Sequence, residues 1–130
     1  MSSTAAESLL GLDGKVALVA GGAGAYQNEE RYLTDHSGMT RDATLWLIDQ
    51  GVKVMGIDAV TFDPPVWAMF ERKQFWEAHL VMREREYYHL ENLTNLDQIG
   101  RSHSFKLSVF PVKWVNTTGA PVRAVAIIDE

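Results

Sequence analysis

The pattern that most constrains this chain is a strand, a helix and a second strand in close succession. Lys15 to Ala20 (KVALVA) is a short apolar run with two valines, closed by a glycine cluster. Its length and that boundary favour a buried strand over a helix. Thr40 then opens a helix: it is a good N-cap, and Asp42 places a negative charge in the first turn, where the helix dipole welcomes it. Ala43, Trp46, Leu47 and Gln50 mark one side of that helix, Leu45 and Ile48 widen the apolar stripe, and Gly51 is the expected stop. Val52 to Ile57 (VKVMGI) follows at once as the second strand. Strand, helix and strand in this order predict a parallel βαβ unit with a right-handed crossover.

Around this unit the signals are more local. Residues 1 to 12 read as a flexible leader and 13 to 130 as one domain, with no internal linker. Tyr26 to Met39 is polar and irregular. Asp63-Pro64-Pro65 breaks the chain, and Trp67 to Glu77 reads as a helix with Trp67, Phe70, Phe75 and Trp76 as bulky packing groups. Glu86 to Glu91 reads as a strand, and Thr94 to Ile99 as a turn or short helix capped by Thr94 or Asn95. Phe105 to Trp114 and Val122 to Ile128 are two further strands, joined by a hairpin-type loop over Asn116 to Pro121. The expected class is α/β, a mixed β-sheet with few helices.

Composition removes several function classes. The net charge of -5 disfavours nucleic acid and anionic membranes as partners. With no cysteine, disulfides, thiol nucleophiles and cysteine-based zinc sites are excluded. No apolar run approaches the roughly 20 residues of a membrane span. The first residues lack the basic start and apolar stretch of a signal peptide, so a cytoplasmic location is expected.

Gly21-Gly22-Ala23-Gly24-Ala25 follows the first strand much as in a short-chain dehydrogenase, where a glycine-rich turn and a helix N-terminus bind a pyrophosphate. Three features oppose that reading. The fingerprint's last glycine falls on Gln27. No amphipathic helix clearly begins at Ala25. No tyrosine is followed by lysine at the catalytic Tyr-x-x-x-Lys spacing. A plain strand-to-loop turn is the preferred reading, and a dehydrogenase-like fragment the weaker one.

The order of motifs from Asp13 onward, and most clearly from Arg31, resembles the cyclase family of metal-dependent hydrolases that includes bacterial kynurenine formamidase and isatin hydrolase. The resemblance rests on Arg31-Tyr-Leu-Thr-Asp-His36-Ser-Gly38-Met-Thr40, on Gly51-Val-Lys-Val-Met-Gly56-Ile-Asp58, and on Phe62-Asp63-Pro64. It continues through His79, Glu91-Asn92-Leu93, Pro111-Val-Lys113 and Pro121-Val-Arg123-Ala-Val-Ala-Ile127. It implies a partial swivelling β/α domain, a homo-oligomer, and hydrolysis of a small cyclic or N-acyl amide or a lactone. It also implies a zinc or manganese ion. Most of that family's ligands come from a His-x-Gly-Thr-His-x-Asp run that these 130 residues do not contain. The remaining histidine and glutamate, twelve residues apart, match His79 and Glu91.

Each candidate has a plainer reading. His79, beside Trp76 and Leu80, is either a ligand or catalytic group, or a hydrogen-bonded and partly buried histidine. Glu91 is either a ligand or a surface acid. Asp58 and Asp63 flank the end of the second strand, where open β/α folds often place a site. Asp58 is the second catalytic candidate; otherwise it caps a turn, and Asp63 starts the Asp-Pro-Pro turn. His36 is expected to be solvated or turn-stabilising, His103 exposed, and His89 directed to the strand face opposite Tyr88. Arg83-Glu84-Arg85-Glu86 is expected to pair with itself on the surface. Trp46, Trp67, Phe70, Phe75 and Trp76 read as core or oligomer packing. Three functions stay open: a metal-dependent hydrolase, a non-catalytic binding or assembly subunit, and a metal-independent enzyme using His79 or Asp58.

Overall fold

A computed structural model describes residues 16–19, 22 and 26–128. The leader and most of the glycine-rich loop lie outside the described residues. The chain divides into two compact units, one ending at Thr94 and the other beginning at Asn95.

The first unit is built on a parallel sheet. Strand β1 is Val16–Val19, β2 is Val54–Ile57 and β3 is Tyr88–Leu90, in the order β1-β2-β3. Val16 pairs with Val54 and Val19 with Ile57; Val54 in turn pairs with Tyr88 and Gly56 with Leu90. The expected βαβ unit is therefore present, and β2 sits in the middle. Its residues Met55 and Ile57, with Val52 just before it, are fully buried against Ile48, Phe62, Ala78, Val81 and Tyr87. A central parallel strand is covered on both faces, which is why VKVMGI is almost continuously apolar.

The helices sort by how much chemistry the sequence devotes to their ends. Helix α1 is Glu29–Thr34 and α2 is Arg41–Asp49. In α2 the Thr40 hydroxyl accepts from the Ala43 N–H at 3.3 Å, as its N-cap position predicts. Helix α1 was hidden by its surface: it buries no residue, so it has no apolar stripe to read. Its signal is the cap alone, the Asn28 side chain accepting from Arg31 N–H at 3.0 Å.

The single helix expected over Trp67 to Glu77 is two. Helix α3 is Val66–Arg72 and α4 is Glu77–Val81. Lys73 and Trp76 both adopt left-handed backbone, at φ 55° and 54°, and so end one helix and start the next. The bulky aromatics of this stretch are not core. Trp67, Phe70, Phe75 and Trp76 are all exposed, and so is Trp46. The acid–base run after α4 does not pair with itself either. Arg41 forms a two-pronged bond to Glu84, and Arg85 reaches Asp49. Adjacent residues in a tight turn diverge, so Glu84 and Arg85 meet partners on α2 instead of their neighbours, and Glu86 accepts from the Tyr88 hydroxyl at 3.1 Å.

The second unit holds a short 3-10 turn, Leu96–Ile99, and two strands, β4 (Lys106–Pro111) and β5 (Val122–Ile127). They pair antiparallel, Lys106 with Ile127 and Pro111 with Val122, and Val112 N–H closes the loop end on Pro121 O at 3.1 Å. The hairpin expected at Asn116 to Pro121 is thus formed. Parallel and antiparallel pairings lie in separate small sheets rather than one mixed sheet. Among the described residues, no helix is long and apolar enough to cross a membrane.

Candidate functional site

Asp63 is the origin of the site. It follows β2 and is completely buried, so both of its oxygens need partners. Oδ1 accepts the Ala78 N–H at 2.7 Å and Oδ2 bonds His79 Nδ1. Trp76, the residue before α4, makes no side-chain cap, so Asp63 supplies the missing acceptor from fifteen positions upstream. One carboxylate therefore fixes the start of α4 and aims the histidine in its first turn. Gly38 makes room for this: a Cβ there would lie 2.1 Å from the Asp63 carbonyl carbon and 2.2 Å from Pro64 N. Met39 N–H donates to Phe62 O at 2.8 Å and holds the same approach.

His79 donates from Nδ1 to Asp63, which leaves Nε2 as the free nitrogen. That Nε2 lies 3.8 Å from Glu91 Oε1. Glu91 is itself held by Phe62 N–H, which donates to Oε1 at 2.8 Å. His89 completes the group from β3. Its ring stacks on Phe62, with centroids 5.4 Å apart and planes 5° from parallel, and meets the His79 ring edge-on at 4.3 Å. His89 Nδ1 lies 3.4 Å from the Tyr87 hydroxyl, which already donates to Ala78 O at 2.7 Å and can only accept from the imidazole. His89 Nε2 is then the free nitrogen, again 3.8 Å from Glu91 Oε1.

The result is two imidazole nitrogens and a carboxylate oxygen, all within 4.8 Å of one another. The two imidazoles are anchored through their outer nitrogens, by Asp63 and Tyr87, and Phe62 N–H holds Glu91 through Oε1, the same oxygen that faces both rings. On the inner side the 3.8 Å separations exceed hydrogen-bond reach. The three groups face one another without bonding. Two imidazoles and one carboxylate are a donor set that suits zinc and manganese-class ions, so these residues fit a divalent cation. A second carboxylate behind a ligating histidine is the usual way its tautomer is set.

The electrostatics have the same origin. Asp63 raises the His79 pKa, foremost through their hydrogen bond, against the opposing effect of burial. Burial, and then the neighbouring His79 charge, lower that of His89. Tyr87 is raised by burial and by the negative charges of Asp63 and Glu91. At neutral pH the site therefore pairs a readily protonated imidazole with a neutral one. His79 and its buried Asp63 form a hydrogen-bonded carboxylate–imidazole pair, the arrangement general acid–base chemistry requires, and the outward-bonded Nδ1 atoms leave both Nε2 atoms as the candidate donors to a cation.

Of the residues singled out in the sequence, His79 and Glu91 are brought together. Asp58 is not part of the triad: it is buried at the end of β2, and its Oδ1 accepts from Gly22 N–H at 3.1 Å. His36 bonds the neighbouring Ser37 carbonyl through Nδ1 at 3.0 Å, and His103 is exposed in the second unit. His89 does leave β3 on the face opposite exposed Tyr88, and that face is the inward one. Its signal was the His-x-Glu spacing: positions 89 and 91 share a strand face, so placing Glu91 in a site places His89 beside it. Asp63 was legible as a turn former, but not as the partner of His79.

The model of the Cyclase family, described as "Putative cyclase", matches residues 5–64. The match runs through the glycine-rich loop, most of which lies outside the described residues. A kynurenine formamidase of Delftia acidovorans is 37% identical over 79 residues, which is 61% of this chain and 34% of that protein. The chain thus spans about a third of the length of this relative. No solved structure matches.

Proposed function

We propose that this chain is a cyclase-family protein that carries part of a metal-dependent hydrolase site for N-acyl or cyclic amides or lactones. The observation that carries this reading is the convergence of His79 and Glu91 in front of a buried, tautomer-fixing Asp63. The name of the formamidase relative favours an amide among those substrates. A swivelling β/α fold and a cytoplasmic location go with the family reading.

His79 through Nε2 and Glu91 through its carboxylate would hold the ion. A zinc or manganese ion there supplies Lewis-acid polarisation of a carbonyl and makes water more acidic. Asp63 keeps the His79 proton on Nδ1 and the ring in place. Phe62 N–H holds the Glu91 carboxylate. Trp76, exposed and edge-on to His79 at 5.9 Å, screens one side of the imidazole from water. Asp58 acts as a positioning residue through the Gly22 backbone it holds, without touching substrate. The exposed Trp67, Phe70 and Phe75 support a homo-oligomer, whose partner chain would contribute further groups.

The Asp63–His79 bond also supports a second reading, in which the dyad works without metal and Nε2 takes a proton from the attacking water. A chelator separates the two. Hydrolysis of N-formyl anilides and small lactones should stop in EDTA and return with zinc or manganese. Turnover that survives chelation sinks the metal reading and leaves the dyad.

A further inference from the structure

The family resemblance assigns only His79 and Glu91 to the ion. Resting on that reading, we propose that His89 is the third protein donor, so that this chain binds a zinc-class divalent cation at His79, His89 and Glu91. The argument is geometric. Three donors at about 2.0–2.1 Å around a tetrahedral ion lie about 3.3 Å apart. The two Nε2-to-Oε1 separations are 3.8 Å and the three donor atoms all lie within 4.8 Å of one another, so side-chain rotations close the set. Among the described residues no hydrogen bond engages either Nε2, whereas each Nδ1 has a neighbour that fixes its proton: Asp63 for His79 and Tyr87 for His89.

The ring of His89 is also pre-positioned. Phe62 stacks flat on it and Tyr87 leans against it at 5.8 Å, so little rotamer freedom is lost on binding. Phe62 serves twice, since its N–H orients Glu91. The nitrogen-rich set selects zinc or cobalt over magnesium and calcium, which prefer all-oxygen sites. Two imidazoles and one carboxylate also leave a position for water or substrate, as in catalytic zinc sites.

The test uses the full chain, freed of metal and titrated with zinc by calorimetry, with bound metal measured after dialysis. Cobalt serves as a spectroscopic probe of donor number. One zinc per chain is expected, with a four-coordinate cobalt spectrum. His89→Ala should weaken zinc binding at least about tenfold, and His103→Ala should leave it unchanged. Should His89→Ala misfold, zinc-induced shifts of the imidazole resonances in the unaltered chain decide the matter: shifts at both His79 and His89 support the site, and shifts at His79 alone overturn it. Absence of zinc binding, or equal affinity in folded His89→Ala, overturns it as well. The functional reading fails separately. One zinc lost in His89→Ala, with no hydrolysis of any amide or lactone, leaves the site and removes the hydrolase. Metal-dependent hydrolysis with unchanged zinc affinity in His89→Ala does the reverse.

Discussion

The unit ending at Thr94 and the unit beginning at Asn95 use the same residue types for different ends. In the first, Val52, Met55, Ile57, Phe62 and Val81 are fully buried, and every site residue hangs from that core. In the second, two strands pair well, yet Phe110 is 68% and Val115 86% exposed. No buried hydrophobic residue of the described chain lies beyond Leu93. A lone two-stranded hairpin has no second layer to bury its apolar face. Precise placement of side chains follows burial and not strand pairing as such. The sharpest way to break this contrast is a matched truncation. Phe62→Ala should cost about 3–5 kcal/mol, whereas Phe110→Ala should stay within about 0.5 kcal/mol. Urea midpoints measure both. Comparable losses would mean that the hairpin is packed in solution as firmly as the sheet.

A smaller effect is expected where backbone meets backbone. A Cβ at Gly38 would fall on the Asp63–Pro64 peptide, which cannot swing away as a side-chain tip can. Gly38→Ala should cost about 1–3 kcal/mol by overpacking. It should also move the His79 imidazole resonances, because Asp63 is displaced. Gly119→Ala is the control in the hairpin, since nothing lies within 4 Å of its added carbon. A melt of Gly38→Ala that matches Gly119→Ala would remove the claim that this loop is built against Asp63.

The next effect is near 1 kcal/mol and carries a pH signature. Tyr26 donates to Leu93 O at 2.8 Å, tying the segment before α1 to the end of the sheet unit. Losing that bond in Tyr26→Phe should cost about 1 kcal/mol. Burial, and then the charges of Asp58 and Tyr32, push the phenol up to about 12 from 10.0. A pKa raised on folding favours the neutral form in the folded state. Its contribution is complete below pH 10, and is lost as pH rises through about 12. The gap in stability between the unaltered chain and Tyr26→Phe should therefore narrow over that window. Tyr87 shifts in the same direction, so both proteins also weaken together. A gap that stays constant from pH 9 to about 12 would contradict the partly buried, hydrogen-bonded phenol.

What was legible in the sequence follows from how local each cause is. Thr40 and Gly51 bracket α2 with chemistry found within a few residues, and β2 announces itself as a run of buried side chains. Helix α1 buries no side chain, its one leucine, Leu33, being exposed, and has only Asn28 to mark it. The break at Lys73 and Trp76 depends on left-handed backbone at residues that rarely adopt it, so Trp67 to Glu77 read as one helix. The site divides in the same way. His79 and Glu91 were found by resemblance, and His89 was recoverable from strand alternation once Glu91 was placed. Asp63 could not be found by spacing, because the helix start it completes is fifteen residues away in sequence. Asp58, the residue just past the last paired position of β2, had the better position by rule, but its Oδ1 accepts from Gly22 N–H.

The smallest expected effect is on the surface of the first unit. Arg41 meets Glu84 with two bonds of 3.0 and 2.7 Å, linking the start of α2 to the turn after α4. The pair is well formed, and each partner shifts the other's pKa in the expected direction, Arg41 upward and Glu84 downward. Both side chains are nevertheless open to water, which screens the attraction and leaves two long side chains to be ordered. Arg41→Gln should therefore melt with the unaltered protein at physiological salt. The core beneath it, Ile48 and Val81, already holds α2 and α4 to the sheet. A drop in melting temperature that disappears in 1 M salt would show that the bidentate geometry contributes, and that stability in this unit is not confined to its buried layer.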